Sequence, residues 1–409
     1  MVHKVKVSPD RICGDVDSGY GRIADAFRRN MASGREIGAA VAVYRDGIKV
    51  VDLWGGYRNG LTRRPWEADT LINVFSTTKG LTALAVAVAE SRGLLSYEAK
   101  VADYWPEFGQ ASKQRITVRQ LLSHQAGLCS LDTALSPEGL ADQAMVSTIL
   151  AAQHPAWAPG TRQGYHAITL GWYASELIRR VDPAGRSVGR FFHDEIAAPL
   201  AMDFYIGLPA SVDRSRVARL HGWRRAEMLL HLHELPPRFV ISMLNSRSLA
   251  ARAFGVLDGR GGMECYNDEE MRRVEIPAAN GTGTPRSVAH AYGCVATGGT
   301  DLGLGTQTFN ALTQPAHPPS DGISDKVLQT NTAFSLGFFK PFPRFTFGSS
   351  SRAFGTPGAG GSFGFADPDT GIGFAYAPNR LGFHLWSDPR ELALRQALFA
   401  DILKSRRQT

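Results

Sequence analysis

The stretch NVFSTTKGLTALAVAVAESRG (residues 73–93) sets the tightest limit on what this chain can fold into. From Gly80 to Ala89 it carries no charge and only one hydroxyl, that of Thr82. A helix that is apolar on every side must be buried on every side. The rest of the chain therefore has to wrap around it. No stretch of the sequence approaches the ~18 apolar residues of a membrane span. Lys79 stands at the head of this run and is drawn into the same interior. Ser76 precedes it by one helical turn, so the two side chains share a face.

That pairing has a chemical meaning. A serine hydroxyl is a weak nucleophile and needs a base within hydrogen-bond reach. Lysine is such a base only when its pKa falls far below ~10.4, and an apolar surrounding lowers it by penalising the charged form. Backbone N–H groups at a helix start also favour developing negative charge. No second Ser-x-x-Lys occurs in the chain.

Around this helix the pattern is mixed. Residues 20–33 have amphipathic helical spacing. Residues 38–56 (GAAVAVYRDGIKVVDLWGG) put Asp46-Gly47 between two Val/Ala-rich runs, which predicts a β-hairpin. Helices are predicted at 117–128, where Thr117 caps and Gly127 stops, at 168–181, and at 286–299. Residues 229–254 are apolar and fit an insertion covering a pocket. Residues 335–340, 361–379 and the run around His384 suggest antiparallel strands, and a helix closes the chain from about 388 to 404. Strands thus lie at both ends and helices between. The expected architecture is α+β: one antiparallel sheet flanked by terminal helices (residues 1–75 and 285–409) and a mostly helical second lobe (residues 76–284), with the Ser76 helix at their interface.

Charge and cysteine content narrow the function. The net charge is +7, with 36 of the 45 basic residues arginine and nine lysine. They are scattered; the densest cluster is RSRVARLHGWRR (residues 214–225). Without a stripe or a recognisable module this reads as a solvated face, not a nucleic-acid surface. Four separated cysteines form no Cys-x-x-Cys, and the first ten residues show no apolar signal segment; both lead to the expectation of a cytoplasmic protein.

Ser76-Thr77-Thr78-Lys79 with its apolar helix, then LLSHQAGL (residues 121–128), then PGTRQGYHA (residues 159–167) resembles the serine β-lactamase and penicillin-binding protein superfamily. The likeness is greatest to its class C-like branch and to family VIII carboxylesterases, and it runs in order from about residue 18 to 400. It implies the β-lactamase-like fold. It further implies that Ser76 is acylated while Lys79 and Tyr165 share the proton work. The third motif of the family maps onto Thr356-Pro357-Gly358, so that the Ser76 and Ala359 N–H groups would form the oxyanion hole. His166, Thr356, Gly358 and Gly360 are the expected substrate contacts. His124 is expected to hydrogen bond near the lobe junction, and Asn280 to turn the chain before the next helix.

Two departures from the family pattern bear on the substrate. Thr356 stands where many members carry Lys, His or Trp, and Tyr165-His166-Ala167 replaces Tyr-x-Asn. The cation that would hold a carboxylate and the amide that would meet a peptide are both missing, although Arg352 is close enough in sequence to supply a charge. The reading is a serine carboxylesterase acting on small or medium acyl esters, with no metal or organic cofactor. A β-lactamase or D-Ala-D-Ala peptidase, an acyltransferase, and a catalytically weak binding protein of the same fold are the alternatives.

Two other constellations compete. Gly360-Gly361-Ser362-Phe363-Gly364 spells G-x-S-x-G, followed by Asp367 and His384. A nucleophile elbow needs a strand, a sharp turn and then a helix, whereas strand-like sequence follows Ser362. His221, His231, His233 and Glu234 hint at a metal, but no third ligand has a convincing spacing.

Overall fold

A computed structural model describes residues 7–223, 227, 231–257 and 262–405. Its centre is an antiparallel sheet in the order Ile12–Val16, Ile48–Asn59, Gly38–Arg45, Ile372–Pro378, Phe363–Asp367, Phe354–Pro357. The N-terminal hairpin forms as its turn chemistry demands. Asp46 (φ 51°) and Gly47 (φ 79°) both adopt positive φ, the twist that joins two strands through two residues. Its first strand then pairs with Ile372–Pro378, Ala42 opposite Ala375, so the two ends of the chain meet in one sheet.

Helices Gly21–Ala32 and Pro389–Ser405 pack against each other at one side of the sheet, joined by the Arg22 N–H to Asp401 (3.0 Å) and the Asn30 amide to the Arg390 carbonyl (2.8 Å). Helix Pro285–Ala296 packs directly on the central strands. The apolar run becomes the helix Thr78–Ser91, in which every residue from Thr78 to Ala89 is buried. Helices Thr169–Val181 and Val188–Phe192 lie against it. Just before it, Ile72–Asn73 pairs with Thr282–Gly283, which also pairs with Phe204–Tyr205, in a small second sheet.

Several sequence expectations are corrected. The helix placed at 117–128 ends at Leu122. Its start is as predicted, a capping box between Thr117 and Gln120, but His124 takes φ 62° and turns the chain away. Residues 335–340 and the run around His384 make only isolated bridges or none; the strands of this region are Phe354–Pro357, Phe363–Asp367 and Ile372–Pro378. Residues 321–332 are also stitched to the loop before Tyr165, which the sequence did not announce: the Gln163 amide donates to the Ile323 and Thr332 carbonyls (2.8 and 2.9 Å). Within 229–254, residues 229 and 230 lie outside the described set; the remainder includes two short helices, Pro237–Leu244 and Leu249–Phe254. In the basic cluster, Arg224 and Arg225 lie outside the described residues, while Arg214 pairs with Glu269 and Arg216 with Asp69 and Asp203. Among the described residues no helix is long and apolar enough to cross a membrane.

A buried charge network fastens the C-terminal helix to the sheet. Arg390 reaches Asp388 (2.8 Å), Glu36 (3.3 Å) and the carbonyls of Arg380 (2.8 Å) and Gly360 (2.9 Å), while the Tyr376 hydroxyl donates to Glu36. Glu36 is fully buried, and burial pushes its carboxyl up against the pull of Arg390. Removing the cation strands two buried carboxylates. Arg390→Met is expected to lose about 3–5 kcal/mol of stability, read by urea denaturation.

Candidate active site

Ser76 sits in a single 3₁₀ turn, Phe75–Thr77, that leads into the buried helix. The residue before it, Phe75, has φ 47°, a conformation unfavourable for an aromatic side chain. The turn is held by its neighbours. The Phe75 N–H donates to the Asn73 side chain (3.2 Å), and the Thr78 hydroxyl donates to the Phe75 carbonyl (2.5 Å) while accepting the Gly281 N–H (2.9 Å). Phe75 also packs edge-on against Tyr266, 5.5 Å between ring centres.

Lys79 is 1% exposed. Its Nζ lies 3.0 Å from Ser76 Oγ, 2.6 Å from the Ala167 carbonyl and 2.9 Å from the Ala278 carbonyl. The two carbonyls take two N–H bonds. A neutral amine has only those two, and its lone pair is then left facing the serine hydroxyl. Burial holds the amine well below its ordinary value, which favours that neutral form. Nζ also stands 4.8 Å from the centre of the Tyr165 ring.

Tyr165 is buried and its phenol bonds the Ser76 side chain; burial raises its pKa and the Ser76 bond partly offsets the rise. Ser76, Lys79 and Tyr165 are therefore brought together as expected from the sequence. The loop carrying Tyr165 is fixed by His124, which packs on the Tyr165 ring (5.1 Å between centres) and accepts the His166 N–H (3.0 Å). Asn280 likewise ties its own loop, accepting from the Ile276 N–H and donating to the Met271 and Val274 carbonyls.

The expected substrate contacts fare differently. His166 is fully buried: Nδ1 bonds the Gly164 carbonyl (2.8 Å) and Nε2 accepts the Leu128 N–H (3.1 Å). With both ring nitrogens committed, and its pKa lowered by burial to about 3, it braces the loop. Thr356 is also fully buried, and its hydroxyl faces Gly80 and the Tyr292 phenol behind the serine helix. Gly358 presses on the serine turn: a Cβ there would collide with the Val74 carbonyl and Ser362 Oγ. Gly360 needs its φ of 82° and packs on Leu381. The absence of a bulky side chain at Gly358 and Gly360 lets this strand and its turn approach Ser76. Ala359, half-buried between Gly358 and Gly360, is carried by that turn.

Ser362 is no nucleophile in this geometry. Its hydroxyl donates to the Val74 carbonyl (2.7 Å) and lies 3.1 Å from Thr77 Oγ1, clamping the strand to the serine turn. Asp367 is bonded to Ser349 and Thr370, and His384 to Glu234 (3.3 Å), so the three make no triad. His221 is spent on the Gly60 N–H (3.0 Å), apart from His231, which pairs with Glu234 (2.6 Å). Arg352 pairs with Asp369 near the Pro368–Gly371 turn. Strand register puts that turn at the far end from Gly358, about 15–20 Å along the sheet, so Arg352 does not replace the missing cation.

Residues 23–398 match the Beta-lactamase family, and the chain belongs to it. It is 35% identical over 376 residues to the Esterase/beta-lactamase LipL of Mycobacterium tuberculosis, covering 91% of this chain and 83% of that protein. A crystal structure of a family VIII carboxylesterase superposes with a TM-score of 0.84 at 36% identity, over 95% of this chain and 99% of that one. A penicillin-binding protein homologue from Caulobacter crescentus gives 0.80 at 35% identity, with the same coverage. The fold is thus β-lactamase-like, an antiparallel sheet with helices.

Sequence inspection missed the clamp. Ser362 drew notice only as a false elbow, and Asn73 and Thr78 drew none. Ser362→Ala is expected to lose about 1–3 kcal/mol, seen in thermal melts, while Ser76 stays reactive toward a fluorophosphonate probe. In parallel, Ser76→Ala should take no label.

Proposed function

We propose that the protein is a serine carboxylesterase that works through an acyl-enzyme on Ser76. The observation that carries this is the Lys79 amine, buried, held by two carbonyls and 3.0 Å from the serine hydroxyl. Ser76 passes its proton to Nζ as Oγ attacks the ester carbonyl. The Ser76 and Ala359 N–H groups hold the oxyanion. As the tetrahedral adduct collapses, the Tyr165 phenol protonates the departing alkoxide and is reprotonated from the Lys79 ammonium. Water then enters by the same route in reverse and releases the acid.

The substrate class follows from what surrounds the nucleophile. Thr356 supplies no cation, Arg352 is engaged elsewhere, and His166-Ala167 offers no side-chain amide to the site. A neutral ester fits such surroundings better than a β-lactam or peptide carboxylate. The family VIII carboxylesterase among the similar structures supports the same choice, whereas the name of LipL carries both activities.

Ser76→Ala should reduce 4-nitrophenyl ester turnover to background, and Lys79→Met should lower kcat by about 10²–10⁴-fold. Wild-type protein is expected to turn over the ester faster than nitrocefin; the reverse order would overturn the esterase assignment in favour of a β-lactamase.

The pH dependence follows from the direction of the Lys79 shift. The amine is active when neutral, and its pKa lies well below 10.5. Activity should therefore be full above that lowered pKa and fall as pH drops through it. A profile of kcat/KM against pH is expected to show one such acid limb, well below the range of an ordinary lysine.

A further inference from the structure

Between Leu235 and Leu257 the chain carries Arg238, Arg247 and Arg252 and no acidic residue. Within this segment, helix Pro237–Leu244 turns Phe239 inward against Phe254 (5.8 Å between ring centres) and leaves the opposite face bare. Leu244 is 81% exposed and Ile241 68%, with Met243 beside them at 38%. Eight large apolar side chains are exposed among the described residues, and three of them fall in these four positions. Single exposed apolar residues are ordinary, but a cluster of them is not. Arg238 lies one turn ahead of Ile241, and Ile241 one turn ahead of Leu244, so a cation and two apolar side chains form one ridge. Arg238 and Arg247 are exposed and form no ion pair among the described residues. Glu234, just ahead of the segment, is paired with His231 and His384, and Asp132 with Arg252, so neither is free to neutralise them. The segment is moored to two loops that also brace the site. Glu234 holds His384 (3.3 Å), from the loop whose Gly382 N–H donates to the Gly360 carbonyl (2.9 Å). The Val256 carbonyl accepts the Leu135 N–H (2.9 Å), on the loop that runs on from Leu128, whose own N–H bonds His166 (3.1 Å).

We propose that this ridge docks the protein on an anionic lipid surface, with Ile241, Met243 and Leu244 entering the acyl boundary and Arg238 and Arg247 meeting headgroup phosphates. The size of the patch favours that occupant. Three apolar side chains cover far less than the roughly 800 Å² per partner of a stable protein interface, whereas a short amphipathic helix with flanking cations suits a lipid–water boundary. Charge favours it as well. A second copy packed on the same face by two-fold symmetry would bring the arginines of both copies together. An anionic bilayer supplies counter-charge to Arg238 and Arg247 alike, and the net charge of +7 adds attraction at longer range. Docking does not depend on the esterase reading, and vesicle binding involves no turnover, so either can fail without the other. Together the two give an esterase that works on esters presented at a lipid surface.

The test is flotation of the full chain with vesicles of phosphatidylglycerol and phosphatidylcholine, and with vesicles of phosphatidylcholine alone, at about 0.1 M and about 0.5 M salt. The expected result is binding that prefers the anionic vesicles. It should weaken about tenfold or more in Ile241→Ser/Leu244→Ser, in Arg238→Gln/Arg247→Gln and at the higher salt. Melting temperatures should stay close to that of the wild type, because the substituted side chains are exposed. No flotation of the wild type overturns the proposal, as does flotation that either double variant leaves unchanged, which would put the contact elsewhere. A dimer in sedimentation velocity that Ile241→Ser/Leu244→Ser disperses makes the ridge a self-interface and overturns it too. Should a variant not fold, hydrogen exchange on the wild type decides the matter. Slowed exchange of the 237–247 amides on adding anionic vesicles supports the docking, and no slowing there overturns it.

Discussion

The structure turns on one amine kept out of water. Lys79 Nζ has three oxygen neighbours, two of them carbonyls from the Ala167 and Ala278 segments. An ammonium in this position would sit in a space walled by the apolar helix, with no carboxylate beside it. Desolvation is accordingly the one cause that moves its pKa. The neutral amine needs two acceptors for its two hydrogens, and the two carbonyls match that need. Both carbonyl loops must therefore be held in place, which explains why so much of the surrounding hydrogen bonding is spent on loops and not on helices.

The loops are braced in layers. His124 bonds the His166 main chain, His166 bonds Leu128, and Gln163 and Asp325 tie the same loop to residues 321–332. On the other side, Asn280 ties the loop ahead of Thr282–Gly283, and Asn73 reaches the Ala279 carbonyl (3.2 Å). From the sheet, Ser362 and Gly358 press on the serine turn, and Arg390 holds the Gly360 carbonyl from the C-terminal helix. The sheet thus braces the turn that presents Ser76, and the Ala167 and Ala278 loops hold the Lys79 amine. The strained Phe75 lies where these two sets of restraints meet.

Local chemistry explains what could be read from the sequence. The Asp46-Gly47 hairpin, the Thr117 cap and the serine helix each announce themselves within a few residues, because turn geometry, capping and burial act at that range. Lysine burial by itself was a weaker clue than it looked. Lys113 and Lys340 are as buried as Lys79, and each also donates to two main-chain carbonyls. Lys79 differs in having a hydroxyl as its third neighbour, and that is the part the Ser-x-x-Lys spacing encodes. What stayed hidden depends on contacts between distant segments. Asp325 meets Tyr165 across 160 positions, and Ser362 meets Val74 across 288. No local pattern marks either one. A motif likewise marks His166 and Thr356 by position along the chain but does not encode which way their side chains turn.

Under the proposed mechanism the same geometry would favour uncharged ligands. In the proposed mechanism the proton moves among a hydroxyl, an amine and a phenol, none of which carries charge at rest. Two basic residues on the segment before Thr356 are spent elsewhere: Arg352 on Asp369, and Lys340 on the Thr313 and Arg352 carbonyls. A substrate carboxylate entering beside Ser76 would lose its hydration with neither Arg352 nor Lys340 free to pair with it. An ester of a neutral acid and alcohol loses little on the same transfer. It develops negative charge only in the transition state, where main-chain N–H groups can meet it. Discrimination of this kind needs no dedicated specificity pocket, because it arises from how the amine was made neutral in the first place.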